Sequence, residues 1–306
     1  MESTEEPAPG RHPWRGSSIS YGLTSPTSRT IDRGFQLTYQ PSLVHRLDLR
    51  PEWHFNEQLY LRGEVLFAQE FFTGNTTTYG HQIVWSDPTI DLGFTGVEDR
   101  YTHIRVSGSL QVAAGLSKAA ILETRVASLA PGVSISRRFA LLSGLQVGYN
   151  ARLTQHFHRF TTGQNVGAAV PEMCPDDNVS CIFRSNGALN THTDIAHGPV
   201  VTLSPTRRLS VSASFQMYRG WRYEPTKVDN DPVSYQPLVD PGTSDGWGFA
   251  ASVSYDVLPF LNVSLNGNSF GPQLTADSQR ENPLYNRYTQ LSLDLGLDVE
   301  AFLQRI

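Results

Sequence analysis

The chain has 306 residues and a formal net charge of −5, and its residues are 39% hydrophobic and 17% charged. This apolar content excludes a chain that is disordered throughout. The acidic balance offers no basic surface, so we expect no nucleic-acid partner. No stretch reaches the roughly 18 consecutive apolar residues of a transmembrane helix. One membrane class stays open, the β-barrel, because its strands alternate apolar and polar residues and so escape a hydropathy sum.

The N-terminal segment is polar. Residues 1–16 are rich in Pro and Glu, and we expect them to be disordered. Met1 is followed by neither a basic region nor an apolar region, so no secretory signal is visible. We interpret the chain as the mature form of an exported protein with a start methionine added. Residues 17–24 predict a first strand.

From there the dominant period of the sequence is two, which predicts β-strands. Residues 46–55 and 59–67 alternate strictly and flank a tight Asn56-Glu57 turn. Further alternating runs occupy 104–112, 145–154, 209–217, 247–255, 261–265 and 291–299, with weaker ones at 90–94, 121–136 and 192–204. The count is about twelve strands, or ten if the weak N-terminal pair fails.

The connections between these strands are unequal. Short turns fall near 56–57, 98–102, 137–140, 205–207 and 257–259. Long polar segments fall near 71–86, 160–190, 223–245 and 272–286, and the short link near 117–120 is the exception. Short turns at one end and long loops at the other are typical of outer-membrane barrels, in which the turns are periplasmic and the loops extracellular. Residues 17–302 are therefore predicted to form one barrel.

A soluble β-sandwich also alternates, but its strands average 5–6 residues. Here several runs alternate for nine residues or more, the length of a tilted strand that crosses a bilayer. Aromatic residues flank both the short turns (Trp53, Tyr101) and the long loops (Trp85, Trp221), as membrane interfaces favour. The fold class predicted is all-β, a transmembrane antiparallel up-and-down β-barrel. The predicted location is the bacterial outer membrane, where we expect the membrane lipid and lipopolysaccharide as partners.

The densest ionic cluster lies on one face of the first predicted hairpin. It comprises Arg46, Asp48, Arg50 and Glu52 on one strand and Arg62 and Glu64 on the next. All six share the parity of the lumen, and hairpin pairing brings opposite charges together across the ladder. One interpretation is a constriction that selects solutes by charge. The other is a network of salt bridges that fills the lumen and stabilises the barrel.

Four further charged residues have lumen parity. Arg105 and Arg152 extend the basic set, and Asp294 and Asp298 lie on the last strand. If the two pairs face each other, they create a transverse field across the lumen. The parity alone does not give their positions around the barrel.

The sequence predicts no metal site, cofactor or catalytic centre. None of the nine histidines shows the spacing of a structural zinc site. A barrel enzyme would need a Ser or Asp nucleophile beside a His, and no Gly-x-Ser-x-Gly motif occurs. Cys174 and Cys181 lie seven residues apart in the 160–190 loop, where a local disulfide would suit an oxidising compartment.

Four short segments carry a resemblance to a known family. They are Trp85-Ser86-Asp87-Pro88, Phe157-His158-Arg159-Phe160, Phe270-Gly271-Pro272-Gln273-Leu274 and Asn286-Arg287-Tyr288-Thr289, set between alternating strands. Over roughly residues 40–300 the chain resembles an uncharacterised family of outer-membrane β-barrels from myxobacteria and related deltaproteobacteria. That family implies the barrel fold and no particular activity. Outer-membrane barrels usually end on an aromatic residue, and here Phe302 is expected to take that position, with a short tail beyond it.

The sequence leaves two functions open. The first is a channel or transporter component for small polar solutes, which the mixed-charge lumen face favours. The second is a non-conducting structural or receptor barrel within an envelope assembly, with protein partners bound through loops 160–190 and 223–245. An enzyme is not expected.

Overall fold

The structure is a computed structural model of the chain. It describes residues 12–26, 43–71, 81–165, 184–224, 242–272, 282–286 and 288–305. Cys174 and Cys181 lie outside the described residues, as do most of the predicted 223–245 loop and part of each other long loop.

Sixteen strand segments and two short helices follow one another along the described chain. The strands are β1 (Ser18–Pro26), β2 (Val44–Arg50), β3 (Glu52–His54), β4 (Leu59–Glu70), β5 (Ile83–Trp85), β6 (Thr89–Glu98), β7 (Ile104–Ala114), β8 (Arg125–Phe139), β9 (Leu145–His158), β10 (Thr162–Asn165), β11 (Arg184–Leu189), β12 (Thr191–Leu203), β13 (Leu209–Arg222), β14 (Thr243–Leu258), β15 (Leu261–Pro272) and β16 (Gln290–Asp298). The helices are α1 (Lys118–Leu122) and α2 (Val299–Leu303).

The sheet is antiparallel and closes on itself. β1 pairs with β2 on one side and with β16 on the other, so the first strand meets the last. Pro51 separates β2 from β3, and both segments pair with β4, so they count as one strand of the barrel. In the same way, β5 and β6 both pair with β4 and form one strand that is interrupted at residues 86–88. The result is a twelve-stranded barrel, which confirms the predicted fold class and strand count.

The apolar residues of the barrel face outward. Leu293 and Leu295 on β16 are 48% and 44% exposed, and the other strands expose their apolar residues in the same way. Among the described residues only Ala120, Ala130 and Trp247 are buried hydrophobics. A soluble protein of this size would bury its apolar side chains in a core. An apolar exterior around a polar interior is instead the arrangement of a barrel in lipid, which confirms the outer-membrane location.

The two ends of the barrel differ. The connections at 55–58, 99–103, 140–144, 204–208 and 259–260 are short, and both termini of the sheet lie at that end, which we assign to the periplasm. At the other end, the predicted 71–86 loop is shorter than expected because β5 occupies Ile83–Trp85. The 160–190 region contains a separate hairpin of β10 and β11. The short link predicted at 117–120 lies at this end too, and α1 begins in it and continues to Leu122.

Two predictions about the periplasmic end need correction. Residues 12–16 were expected to be disordered, but they form a turn held against β3, where His54 donates its backbone N–H to the carbonyl of Pro13 at 2.6 Å. Residues 1–11 lie outside the described residues. Phe302 was expected to act as a terminal strand aromatic, but it lies on α2, where its ring contacts Phe260 with centroids 5.6 Å apart. No helix in the described ranges is long and apolar enough to cross a bilayer.

Candidate functional site

The charge cluster of the first hairpin lies on the lumen wall. Arg50 contacts Asp48 at 2.7 Å and Glu64 at 2.9 Å, and therefore links β2 to β4. Arg62 forms an ion pair with Glu52 across the β3–β4 ladder, where the two residues are register partners. All five of these side chains are thus engaged in ion pairs.

Glu52 is the centre of this hairpin network. Its side chain is 5% exposed, and its two carboxylate oxygens contact Arg62 and, at 2.6 Å, Nε2 of His54. The backbone N–H of Glu52 donates to Oγ of Ser17, which ties the start of β1 to the hairpin. A carboxylate buried this deeply requires such partners, since an unpaired buried charge is strongly destabilising. This part of the cluster therefore fits the stabilising interpretation.

Arg46 has a partner that the sequence did not indicate. Its guanidinium lies 3.0 Å from Asp294 on β16, two strands away, and the pair spans β1 at Gly22. Asp294 also accepts a hydrogen bond from the side-chain amide of Asn266 on β15. Closure of the barrel places β1 between β2 and β16, so the ion pair between Arg46 and Asp294 lies at the seam between the first and the last strand.

The remaining predicted lumen charges lie elsewhere around the barrel. Arg105 on β7 pairs with Glu98 on β6 at 3.0 Å. Arg152 on β9 donates to the side-chain amide oxygen of Gln111 at 3.3 Å. Asp298 caps α2 by accepting the N–H of Ala301 and lies at the periplasmic end of β16.

The positions of these charged residues around the barrel determine whether they create a transverse field across the lumen. β7, β8 and β9 are the fifth to seventh strands of the barrel and β16 is the twelfth, so the basic residues and the two aspartates lie on opposite walls. The transverse field differs from the one expected, because Arg46 forms an ion pair with Asp294 and the carboxylate of Asp298 caps α2. Arg138 on β8 joins the basic wall and donates to Gln146 at 3.4 Å. Arg138 was not predicted as a lumen residue because it lies beside the turn at 140–144.

Three cavities lined by described residues follow the inner wall. The largest has a volume of about 980 Å³, lies between β3 and β13, and is lined by Arg62, Arg105, Arg138 and Arg152 together with Glu52 and Asp91. A second cavity of about 490 Å³ lies at the seam beside Arg46 and Asp294. A third, of about 250 Å³, places Arg152 near Glu64 and Asp91. The lumen wall therefore has cavities large enough for water molecules next to charged side chains.

A second polar network lies toward the loop end. His156 on β9 contacts Ser128 on β8 through Nδ1 at 2.7 Å and Asp194 on β12 through Nε2 at 2.6 Å. Nearby, Arg125 pairs at 3.0 Å with Asp87, whose other oxygen accepts the N–H groups of Leu116 and Ser117. The parity of His156 and Asp194 was visible in the sequence. Their contact was not, because residues 159–190 separate β9 from β12.

This arrangement of Ser, His and Asp also bears on enzymatic activity. A hydrolase needs hydrogen-bond donors, from backbone N–H groups or polar side chains, that are free to stabilise an oxyanion. Here Ser128, His156 and Asp194 lie on three strands that pair on both sides, so their backbone groups belong to the ladder. We interpret the network as structural, and the absence of enzymatic activity stays a prediction. No group of three or more His, Cys, Asp or Glu side chains in the described part of the chain is arranged to hold a metal ion.

Comparison with known proteins gives likeness of structure only. No protein-family model matches the chain, and no curated sequence matches it. Among solved structures, it is similar to an outer membrane channel from Pseudomonas putida F1, with 12% identity, a TM-score of 0.53, and coverage of 95% of this chain and 99% of that one. It is also matched to the NanC porin (10% identity, TM-score 0.44, coverage 92% and 98%) and to Salmonella typhi OmpF (7%, 0.40, 92% and 96%). The first of these likenesses shows the fold, and the protein is a twelve-stranded outer-membrane β-barrel.

Proposed function

We propose that the protein is an outer-membrane channel that passes small polar solutes. The observation that carries this proposal is the cavity of about 980 Å³ along the inner wall, lined mainly by polar and charged side chains. A barrel of eight strands is filled by its own side chains, and the interior widens with strand number. With twelve strands and an inner wall rich in Ser and Gly, this barrel has room for a water-filled path.

The residue types on the inner wall support the same function. Ser107, Ser109, Ser134 and Ser136 line the cavity beside Asn150, and these short side chains leave space along the wall. Arg138 and Arg152 are exposed within it. A lumen whose only purpose was structural would fill this space with larger side chains, because unfilled volume forfeits packing energy.

The experiment is single-channel recording of the purified full chain in planar lipid bilayers. We expect discrete, stable conductance steps that disappear when the protein is boiled before reconstitution. A matched pair of variants tests the path itself. Ser134→Trp places a large ring in the cavity and should lower the unit conductance, whereas Ile135→Trp, at the neighbouring lipid-facing position that is 46% exposed, should leave it unchanged. A folded protein that stays closed at all voltages would overturn the proposal.

A second candidate, the non-conducting receptor or structural barrel, is favoured by one observation at the loop end. Asn190 donates hydrogen bonds to the backbone oxygens of Glu123 at 2.7 Å and of Phe160 at 3.0 Å, so the α1 connection and the β10–β11 hairpin are joined. Extracellular segments that are joined by hydrogen bonds form a surface to which an envelope protein could bind. Co-purification of a stable partner together with closed bilayer records would favour this candidate. Membership of the myxobacterial barrel family also stays a prediction.

A further inference from the structure

The arginines of the lumen fall into two groups. Arg46, Arg50, Arg62 and Arg105 each form an ion pair with a carboxylate. Arg138 and Arg152 contact only the side-chain amide oxygens of Gln146 and Gln111, and neither forms an ion pair among the described residues. Among the described residues, no carboxylate therefore lies within ion-pair distance of either guanidinium group.

Both unpaired arginines lie on one wall of the largest cavity. They come from the adjacent strands β8 and β9, and both are exposed to the lumen. A Cβ on Gly132 would lie 3.6 Å from Nε of Arg152, so the arginine passes directly over Gly132 on its way to Gln111 on β7. Because Gly132 has no side chain, the guanidinium group of Arg152 can lie against the backbone of the barrel wall at this point.

The stretch between the two arginines offers further hydrogen-bond donors. Arg138 is the register partner of Gln146, and Arg152 is six residues farther along β9, which corresponds to about 20 Å along the strand. Ser134, Ser136 and Asn150 line the cavity in this interval. A charged group is therefore followed by neutral donors and then by a second charged group.

The charge balance around this wall is positive. Four arginines and two carboxylates line the largest cavity, and Glu52 is already paired with Arg62. Glu64 and Asp91 share the smaller cavity with Arg152, but in the described chain neither lies within ion-pair distance of it. A low-dielectric cleft lined by one sign of charge concentrates ions of the opposite sign. Guanidinium groups bind carboxylate and phosphate with two parallel hydrogen bonds.

We propose that Arg138 and Arg152 form an anion track along the β8–β9 wall, through which small anions with carboxylate or similar oxyanion groups cross the barrel. This inference rests on the proposed channel function and names its class of solute. Conduction needs sites that attract the solute and still release it. Two exposed guanidinium groups separated by neutral donors meet that need.

The test is the reversal potential of the reconstituted full chain in planar bilayers under a potassium chloride gradient. The wild-type channel should pass chloride in preference to potassium. Arg152→Gln and Arg138→Gln should each lower the ratio of chloride to potassium permeability severalfold, and the double variant should bring it to unity or below. In vesicles, the influx of gluconate relative to uncharged glucose should fall in the same order.

Two controls separate charge from fold. Arg152→Lys keeps the charge and should keep most of the selectivity. The paired exchange Arg105→Gln with Glu98→Gln removes one charge of each sign at an existing ion pair and should leave the ratio unchanged. Heat-modifiable migration on gels confirms that each variant is folded.

The outcomes are distinguishable. An open channel that prefers cations, or whose selectivity is the same in wild type and both Gln variants, would overturn the anion track and leave the channel function standing. A folded barrel that never conducts would overturn the channel function and the track with it.

Discussion

A Cβ atom on Gly22 would overlap Oδ1 of Asp294, so the carboxylate of β16 occupies the space that a side chain on β1 would need. Arg46 approaches the same glycine from β2, with Nε 3.0 Å from that Cβ position. The ion pair between Arg46 and Asp294 therefore crosses β1 through the gap that Gly22 leaves. The seam of the barrel depends on a residue that has no side chain.

Gly22→Ala should consequently break this ion pair. The methyl group displaces Asp294 from Arg46 and Asn266, and we expect the unfolding free energy to fall by about 1 kcal/mol, the typical worth of a hydrogen bond to a charged group less the gain from replacing a strand glycine. The measurement is urea unfolding in lipid vesicles.

Two comparisons control for the backbone effect of this change. Gly267→Ala, whose Cβ would meet Leu291 at an ordinary 3.4 Å, should not destabilise the barrel. In an Asp294→Ala background, Gly22→Ala should no longer cost stability, because the overlapping carboxylate is gone. An equal loss in both backgrounds would show that the ion pair is not the cause.

The two faces of the strands should respond differently to a new charge. Leu293 is mid-strand on β16, and Leu293→Arg should lower the unfolding free energy by about 2–4 kcal/mol if it faces the bilayer centre. Phe215→Arg and Leu295→Arg should behave in the same way, and so should Val211→Arg, with a smaller loss because Val211 lies nearer the end of β13. Ser212→Arg should be tolerated far better, since the Ser212 hydroxyl lies inside the barrel, 2.7 Å from that of Ser252.

Ser292 also has lumen parity, but it is not a suitable control. Its side chain is buried, with the residue 5% exposed, and it hydrogen-bonds to Asp294 at 3.2 Å. An arginine there would disturb the seam. Equal losses for Leu293→Arg and Ser212→Arg in vesicle unfolding would contradict the assignment of the two faces.

If Cys174 and Cys181 form the predicted disulfide, its reduction should leave the barrel folded. A disulfide that closes a short loop contributes little beside a closed network of strands. The expected result is unchanged heat-modifiable migration after treatment with reductant, with Cys174→Ser as the matched variant. Loss of the fast-migrating folded form in either sample would show that this loop supports the barrel.

The periplasmic turn at Asp99 should make a pH-dependent contribution. The carboxylate accepts the hydroxyl of Thr102 at 2.6 Å and its N–H at 2.7 Å, which holds the pKa of Asp99 below its ordinary value of 3.8. Because the folded pKa is lower than the unfolded one, the stabilisation is complete above the unfolded value and is lost as the pH falls through the folded value.

Wild type should therefore exceed Asp99→Asn in stability at pH 7, and the difference should shrink at pH 3. Thr102→Val, which removes the hydroxyl donor and keeps the backbone N–H donors, should reproduce part of the loss at pH 7. The measurement is urea unfolding at the two pH values. A difference between wild type and Asp99→Asn that is independent of pH would contradict this role.

Contacts within one hairpin were within reach of the sequence. Arg62 and Glu52 pair across β3 and β4, and the turn at 55–58 fixes their register, so parity and turn position together predict the contact. The Arg46–Asp294 pair spans 248 positions of the chain, and nothing local indicates it. Arg50 lies between these cases, because the sequence offered several carboxylates on the hairpin and only the structure shows that it contacts both Asp48 and Glu64.

The sequence by itself determined the barrel and the face on which each charge lies, because side-chain direction in a strand repeats every two residues and needs no knowledge of the rest of the chain. Only the tertiary structure decided which charges meet. Closure placed β1 between β2 and β16, joined Arg46 to Asp294, and left Arg138 and Arg152 on the opposite wall without an ion pair among the described residues. The position of a strand around a barrel depends on the number and order of all the other strands. The two-residue alternation within one strand contains no information about that number or order.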